Sequence, residues 1–397
     1  MIVRRRYTWL LIVILISPVS INGQARRAKI LLSGDIYPCP VITLCAIDPL
    51  YEYVPLQTRE IPEDEAQRYA RLYFPRTREL LFEFSMLFFV DCDMSPFSGK
   101  QVSHMLQGVE EGHLGTFWTF GPNYGSVVSC DLQQVIPHEM SKGFNSWAWG
   151  HDFYRVIFRR DRPPVFTPFI ELGLENVRAY GCGQLSPRIG TTIWGDMLPW
   201  KWPWMVTWEF GGTGGLCWVA ADDLDHPFWE RTTYGFTENK YPVDILANII
   251  TYTVGGELPD DVLLPIYIRR ELQDFNNGRN LFVSVLEFVE KFGADTGELY
   301  DELLTVDAGI IMDTKVAYME GDYTDALSMA KVGNEEIKAL VERALEARER
   351  ALLWIFVIEW LTVSGTSMIS GFILWTLMVR RRIYREVETT RLQSVGG

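Results

Sequence analysis

Five aspartates stand at the ends of apolar runs: Asp35 closes KILLSGD, Asp91 and Asp93 close SMLFFVDCD, and Asp222 and Asp223 close GLCWVAADD. Asp225 and His226 follow at once. Carboxylates gathered in this way can bind a hard cation through oxygen or hold a sugar through paired hydrogen bonds. No cofactor is predicted, and a divalent cation is the one such carboxylates could hold. The same residue type at a strand end also caps helices and stabilises turns, and a His before Pro227 also serves as an ordinary loop residue. The chain carries no HExxH, no CxxC pair and no Walker loop.

Two further features bear on binding. The segments WAWGHDFY and WGDMLPWKWPWMVTW place Trp147, Trp149, Trp200 and Trp202 in loop-like context, where their rings could stack on sugars, touch lipid headgroups or fill core. GGTGG at 211–215 lies between two strand-like runs, so it reads as a hairpin turn rather than a phosphate loop.

For the aspartates to converge, the runs that carry them must lie side by side with their carboxyl ends together. KILLSGD, SMLFFVDCD, LGTFWTFG and GLCWVAADD are continuous apolar runs of strand length, the pattern of strands buried on both faces. Amphipathic segments at 76–84 and 99–111 intervene. Alternating strand and helix predict a doubly wound α/β fold with a parallel, flavodoxin-like sheet, whose ligands sit at the carboxyl ends of the strands.

The order of these segments resembles the class I glutamine amidotransferase-like fold, in the branch found on microbial, notably archaeal, surfaces. The resemblance rests on YFPRTRELLFEFSMLFFVDCDMSPF, GTFWTFGPNYGS, GGLCWVAADDLDHPFW and ENKYPVDILANIITYTVGG, and covers residues 29–256. Active members need a cysteine on a sharp, glycine-flanked elbow, with His and Glu supplied later. The corresponding stretch here is Phe117, Trp118, Thr119, Phe120 and Gly121, without a cysteine. Thr119 and Ser126 carry hydroxyls but no neighbouring His signature, so no catalytic residue is assigned. The resemblance implies a scaffold that has lost glutaminase chemistry.

The ends of the chain place this domain. MIVRRR followed by an apolar run of about 14 residues predicts a secretory signal over 1–25, cleaved near 23–25. Residues 351–379 are apolar except for Glu359 and are followed by Arg380, Arg381 and Arg382, as expected of a transmembrane helix with its basic flank in the cytoplasm. The lipid bilayer is thus the expected partner of 351–379, Glu359 lies at the outer headgroup level, and 380–397 form a cytoplasmic tail. The topology is type I at the cell membrane.

A compositional shift near 255–259 separates the α/β domain, 29–258, from a charged, helix-patterned part, 259–350. Helices are expected at 262–274, 279–292, 296–312 and 323–350, with breaks at 276–278 and 293–296, and the last should continue into the membrane helix. Of the six cysteines, Cys92 and Cys217 read as buried thiols, while Cys39, Cys45, Cys130 and Cys182 lie in loops where pairing is feasible.

The composition, 48% hydrophobic and 13% aromatic over 397 residues, excludes disorder. A net charge of −14 with basic clusters only at the chain ends argues against nucleic acid as a partner. Three functions remain open: a membrane-anchored extracytoplasmic module with a catalytically lapsed domain that binds a ligand or a membrane or envelope protein partner, a surface hydrolase or amidotransferase using the acidic crevice with or without a metal, and a structural envelope protein.

Overall fold

The structure, a computed structural model, describes residues 27–37, 39–146, 153–229, 238–292 and 295–393. The expected signal at 1–25, and Trp147 and Trp149, lie outside the described residues. The strands are β1 (Ala28–Gly34), β2 (Tyr51–Gln57), β3 (Met86–Val90), β4 (Gly115–Thr119), β5 (Asn145–Ser146), β6 (Arg155–Phe158), β7 (Gly183–Gln184), β8 (Thr192–Leu198), β9 (Trp202–Glu209) and β10 (Leu216–Ala220). Eight of them form one sheet in the order β2-β1-β3-β4-β10-β9-β8-β6, and β5 pairs with β7.

The sheet is mixed rather than parallel throughout. β2, β1, β3, β4 and β10 run parallel. The pairs β10 with β9, β9 with β8 and β8 with β6 are antiparallel. The change of direction comes from the glycine turn at 211–215, which joins β9 to β10 as a hairpin, so the next strand in space is also the previous one in sequence.

The four apolar runs of the sequence are the four adjacent strands β1, β3, β4 and β10. Every residue of β3 and β4 is buried. Phe88 stacks on Phe117 at 4.9 Å and Phe89 on Trp118 at 4.0 Å, and each pair is in register across the two strands. Because successive side chains leave a strand on opposite faces, these two stacks bury opposite faces of the sheet centre. At the end of β1, Gly34 has φ +113, and a Cβ there would stand 1.9 Å from the carbonyl oxygen of Val90. Only glycine allows β1 and β3 to approach this closely where they deliver Asp35 and Asp91.

The chain divides into two compact units, one running to Leu272 and including Asp313–Ser328, the other comprising Gln273–Met312 and Met329–Gly397. The division falls beyond the compositional shift at 255–259, and a buried charge cluster accounts for this. Arg269, from the helix Leu263–Glu290, donates from Nε to Asp48 at 2.7 Å and from Nη1 to Asp244 at 2.8 Å. Tyr318 donates its hydroxyl to the same Asp48 at 2.7 Å. Arg269 is 7% exposed, so the first turn of Pro242–Thr253, the loop after Pro40–Ile47 and the segment around Tyr318 are joined inside the first unit.

In the second unit, Leu263–Glu290 continues through Asn276–Gly278, where the sequence suggested a break. Gly278 does not interrupt the helix; it makes room for a neighbour, since an added Cβ would lie 3.2 Å from Ile337. The expected helix at 296–312 is Gly297–Val306 followed by a π-helical turn, Asp307–Ile311, after which Met312–Met319 continues. Phe275, Phe282, Leu286, Leu303, Ile337 and Leu340 form the core. The last helix, Tyr323–Gln393, has 71 residues, and it is long and apolar enough to cross a membrane. None of the six cysteines is joined in a disulfide, so the pairing left feasible for Cys39, Cys45, Cys130 and Cys182 is not made.

Candidate functional site

The carboxyl ends of β1, β3 and β10 deliver Asp35, Asp91 and Asp223 to one place, and the end of β2 adds Arg59. Arg59 Nη1 lies 2.5 Å from Asp91 and 3.4 Å from Asp35. The sequence reading missed this arginine. It follows YEYVPLQ, a strand whose Pro55 and half-exposed pattern suit a sheet edge but obscure it as a strand.

Asp91 is the most constrained member. Its φ of 38 is left-handed, a strained geometry for a residue other than glycine. One carboxylate oxygen accepts from the backbone N–H of Asn123 at 3.1 Å, and the amide of Gly121 also favours its charge. These amides lead into the short helix Tyr124–Val128, so Asp91 occupies the electropositive turn after β4. An added Cβ on Gly121 would stand 2.5 Å from the Asp91 carboxylate. Gly121→Ala should therefore cost about 1–3 kcal/mol through overpacking, read as a lower denaturant midpoint. An unchanged midpoint would show that Asp91 moves aside freely.

Thr119 is locked in the same network. Its hydroxyl donates to Asp223 at 2.6 Å and accepts from the N–H of Asp91 at 3.2 Å. It is 1% exposed and does not line the adjoining cleft. Ser126 is spent locally, accepting from the N–H of Met94 and donating to the carbonyl of Asn123.

The other aspartates separate from this cluster. Asp93 accepts from both the N–H and the hydroxyl of Ser95 at 2.9 Å, a turn-forming arrangement. Asp222 accepts from the Tyr154 hydroxyl at 2.6 Å. Trp204 and Trp229 also favour its charged form, although neither indole N–H makes a hydrogen bond of good geometry.

Asp223 and Asp225 open onto a cleft of about 120 Å³, which they line with Arg59, Phe120, Phe144 and His226. His226 Nδ1 lies 2.7 Å from the carbonyl oxygen of Gly181 and 3.3 Å from the N–H of Asp223. The shorter contact makes Nδ1 the donor to Gly181, which leaves Nε2 as the nitrogen facing Asp225, at 3.7 Å. Trp200 and Trp202 stack on each other at 5.0 Å, half-buried against the core, and are not part of the cleft.

Burial dominates the electrostatics. It raises the carboxyl of Asp35 against the opposing pull of Arg59, and it pushes Asp91 up to about 6. Burial and then the charge of Asp225 push Asp223 up to about 7, and burial also raises Asp222. Nearby, burial pushes His138 down to about 4, so this ring stays neutral; its Nδ1 accepts from the N–H of Ser186 at 2.8 Å.

The cluster is thus a carboxylate-rich cleft with one guanidinium and two aromatic walls. Its volume is well below the ~300–1,000 Å³ of pockets for drug-sized ligands, so a small group fits it. Among the described residues, no group of three or more His, Cys, Asp or Glu side chains is arranged to hold a metal ion. Compared with known proteins, the chain matches no family model, no curated protein and no solved structure.

Proposed function

We propose that this chain is a membrane-anchored, extracytoplasmic binding module whose carboxylate cleft receives a small cationic group, on a class I glutamine amidotransferase-like scaffold that has lost its chemistry. The observation that carries this reading is the seat of Asp91. An acyl-transfer site needs a nucleophile on the turn after the central strand and free amides for the oxyanion. Here a carboxylate of the chain itself occupies the amides of that turn, and the only hydroxyl on the strand end, Thr119, is buried between Asp91 and Asp223.

The strand order supports the scaffold. Its five parallel strands, β2-β1-β3-β4-β10, follow the 2-1-3-4-5 order of flavodoxin-like sheets, which take ligands at the strand carboxyl ends. Charge supports the ligand class. Asp223 and Asp225 line the cleft with Arg59, Asp35 and Asp91 contact the same guanidinium from the strand ends, and the rings of Phe120 and Phe144 offer π faces to a cation. The arginines after Val379 support an anchor with its tail in the cytoplasm, which puts the cleft outside.

The test uses the purified full-length chain. Small primary amines such as methylammonium and ethanolamine should raise its melting temperature at pH 8, and Asp225→Asn should remove that shift. Glutamine should release no ammonia above a heat-killed control. Glutamine turnover, or a stoichiometric metal lost with Asp223→Asn, would replace this reading with an enzymatic one.

A further inference from the structure

The second unit carries a groove of about 830 Å³ whose walls change character along its length. Along Tyr323–Gln393 its lining runs from Arg343, Glu346 and Arg350 to Trp354, Ile355 and Ile358, and Phe292, Asp295, Glu298 and Leu299 complete it. The change occurs where the charged part of Tyr323–Gln393 gives way to the apolar stretch 351–379.

Length arithmetic explains why this apolar end needs a cover. The 29 residues of 351–379 rise about 43 Å along a helix, against a hydrocarbon core of about 30 Å. Counted back from the arginines that follow Val379, about 20 residues fill the core, and Trp354 to Ile358 lie at or above the headgroups. Yet Trp354 is 65% exposed, Ile358 59% and Phe292 47%. Such a run of large apolar side chains facing water is unfavourable, and the nearest source of apolar cover is the bilayer into which the groove leads.

The charged end narrows the occupant. Arg343 is paired with Glu302, whereas among the described residues Arg350 meets only its helix neighbour Glu346, at 4.0 Å from the carboxylate and 3.4 Å from the carbonyl oxygen, with both side chains at least 70% exposed. Glu298 and Asp295 stand on the opposite wall. One weakly held cation facing carboxylates suits a headgroup that carries both signs, with its phosphate at Arg350 and its ammonium toward Glu298.

We infer that this groove is a binding site for one zwitterionic phospholipid, whose headgroup lies between Arg350 and Glu298 and whose acyl chain covers Phe292, Trp354, Ile355 and Ile358. The inference rests on the reading of 351–379 as a membrane span but not on the cleft of the first unit.

The full-length chain in mild detergent, titrated with phosphatidylethanolamine and observed by native mass spectrometry, should retain one lipid per chain. Ala351→Phe should fill the groove, and Arg350→Glu should repel the phosphate. Each should reduce retention about tenfold, while Val363→Phe in the span should not. Circular dichroism identifies any variant that has lost helix, and Arg350→Glu, on an exposed position, keeps the test valid if Ala351→Phe fails to fold. Equal retention by wild type and Arg350→Glu, or tighter retention of phosphatidylglycerol than of phosphatidylethanolamine, would overturn the inference. Failure of 351–379 to insert would appear separately, as extraction of the chain from membranes by carbonate.

Discussion

Replacing Arg269 with methionine should lower the melting temperature of the chain by about 10 °C or more, the largest single-residue effect expected here. Methionine roughly preserves the volume but removes the guanidinium that both Asp48 and Asp244 hydrogen-bond, leaving the two carboxylates buried. Asp48 also accepts from the Tyr318 hydroxyl and from the N–H of Leu50, so it is fixed in place and cannot turn to water. Breaking a buried pair by removing one partner costs about 3–5 kcal/mol, most of it from the stranded charge. The triple variant that adds Asp48→Asn and Asp244→Asn should therefore recover much of the loss. If Arg269→Met alone melts within a degree or two of wild type, the cluster contributes nothing to holding the unit together.

Acidification from pH 8 to pH 5 should stabilise the protein. Asp91, at about 6, and Asp223, at about 7, are both raised above the ordinary aspartate value of 3.8. Between those limits the folded state holds more protons than the unfolded one, so stability falls as pH rises through the window and is restored as pH falls. At about 1.4 kcal/mol per unit, Asp91 and Asp223 together contribute about 4 kcal/mol from pH 8 to pH 5, and His138, pushed down to about 4, takes back about 2 kcal/mol below pH 6.5, so the net gain is about 2 kcal/mol. The carboxylates with lowered values, Glu79, Glu238 and Glu302, act in the opposite direction. They are exposed and stay charged at pH 5, so they add little. Thermal melts at pH 5, 6, 7 and 8 should show the slope, and Asp223→Asn should flatten it. An equal slope in the variant would remove Asp223 as its source.

What could be read from the sequence follows the physics of burial. β1, β3, β4 and β10 stood out because both faces are covered, which leaves a continuous apolar run. β2 did not, because its outer residues are exposed and Pro55 can be tolerated at the sheet edge. Neighbouring residues with one identity took different roles. Asp222 and Asp223 are adjacent, yet one meets Tyr154 and the other Thr119 and the cleft. No pattern in one dimension separates them, because alternation decides only which side a residue takes, not what waits there. Arg59 and Arg269 were missed for the same reason: their carboxylates come from distant segments. Gly278 misled in the opposite sense, since its value lies in the space it leaves for Ile337 and not in backbone freedom.

The 71-residue helix Tyr323–Gln393 has one more consequence. A helix without a break behaves as a shaft, because the angular phase of every residue is tied to that of every other. Each residue turns the helix by about 100°, so inserting one alanine near 348 would rotate the face carrying Leu340 and Ala344 by that angle against the apolar stretch 351–379, and inserting seven would restore the phase to within about 20°. The spacing between the packed part of the helix and its apolar part is therefore an indexed quantity. Rotation imposed at one end of the apolar stretch is delivered through the unbroken helix to the side chains that pack the second unit.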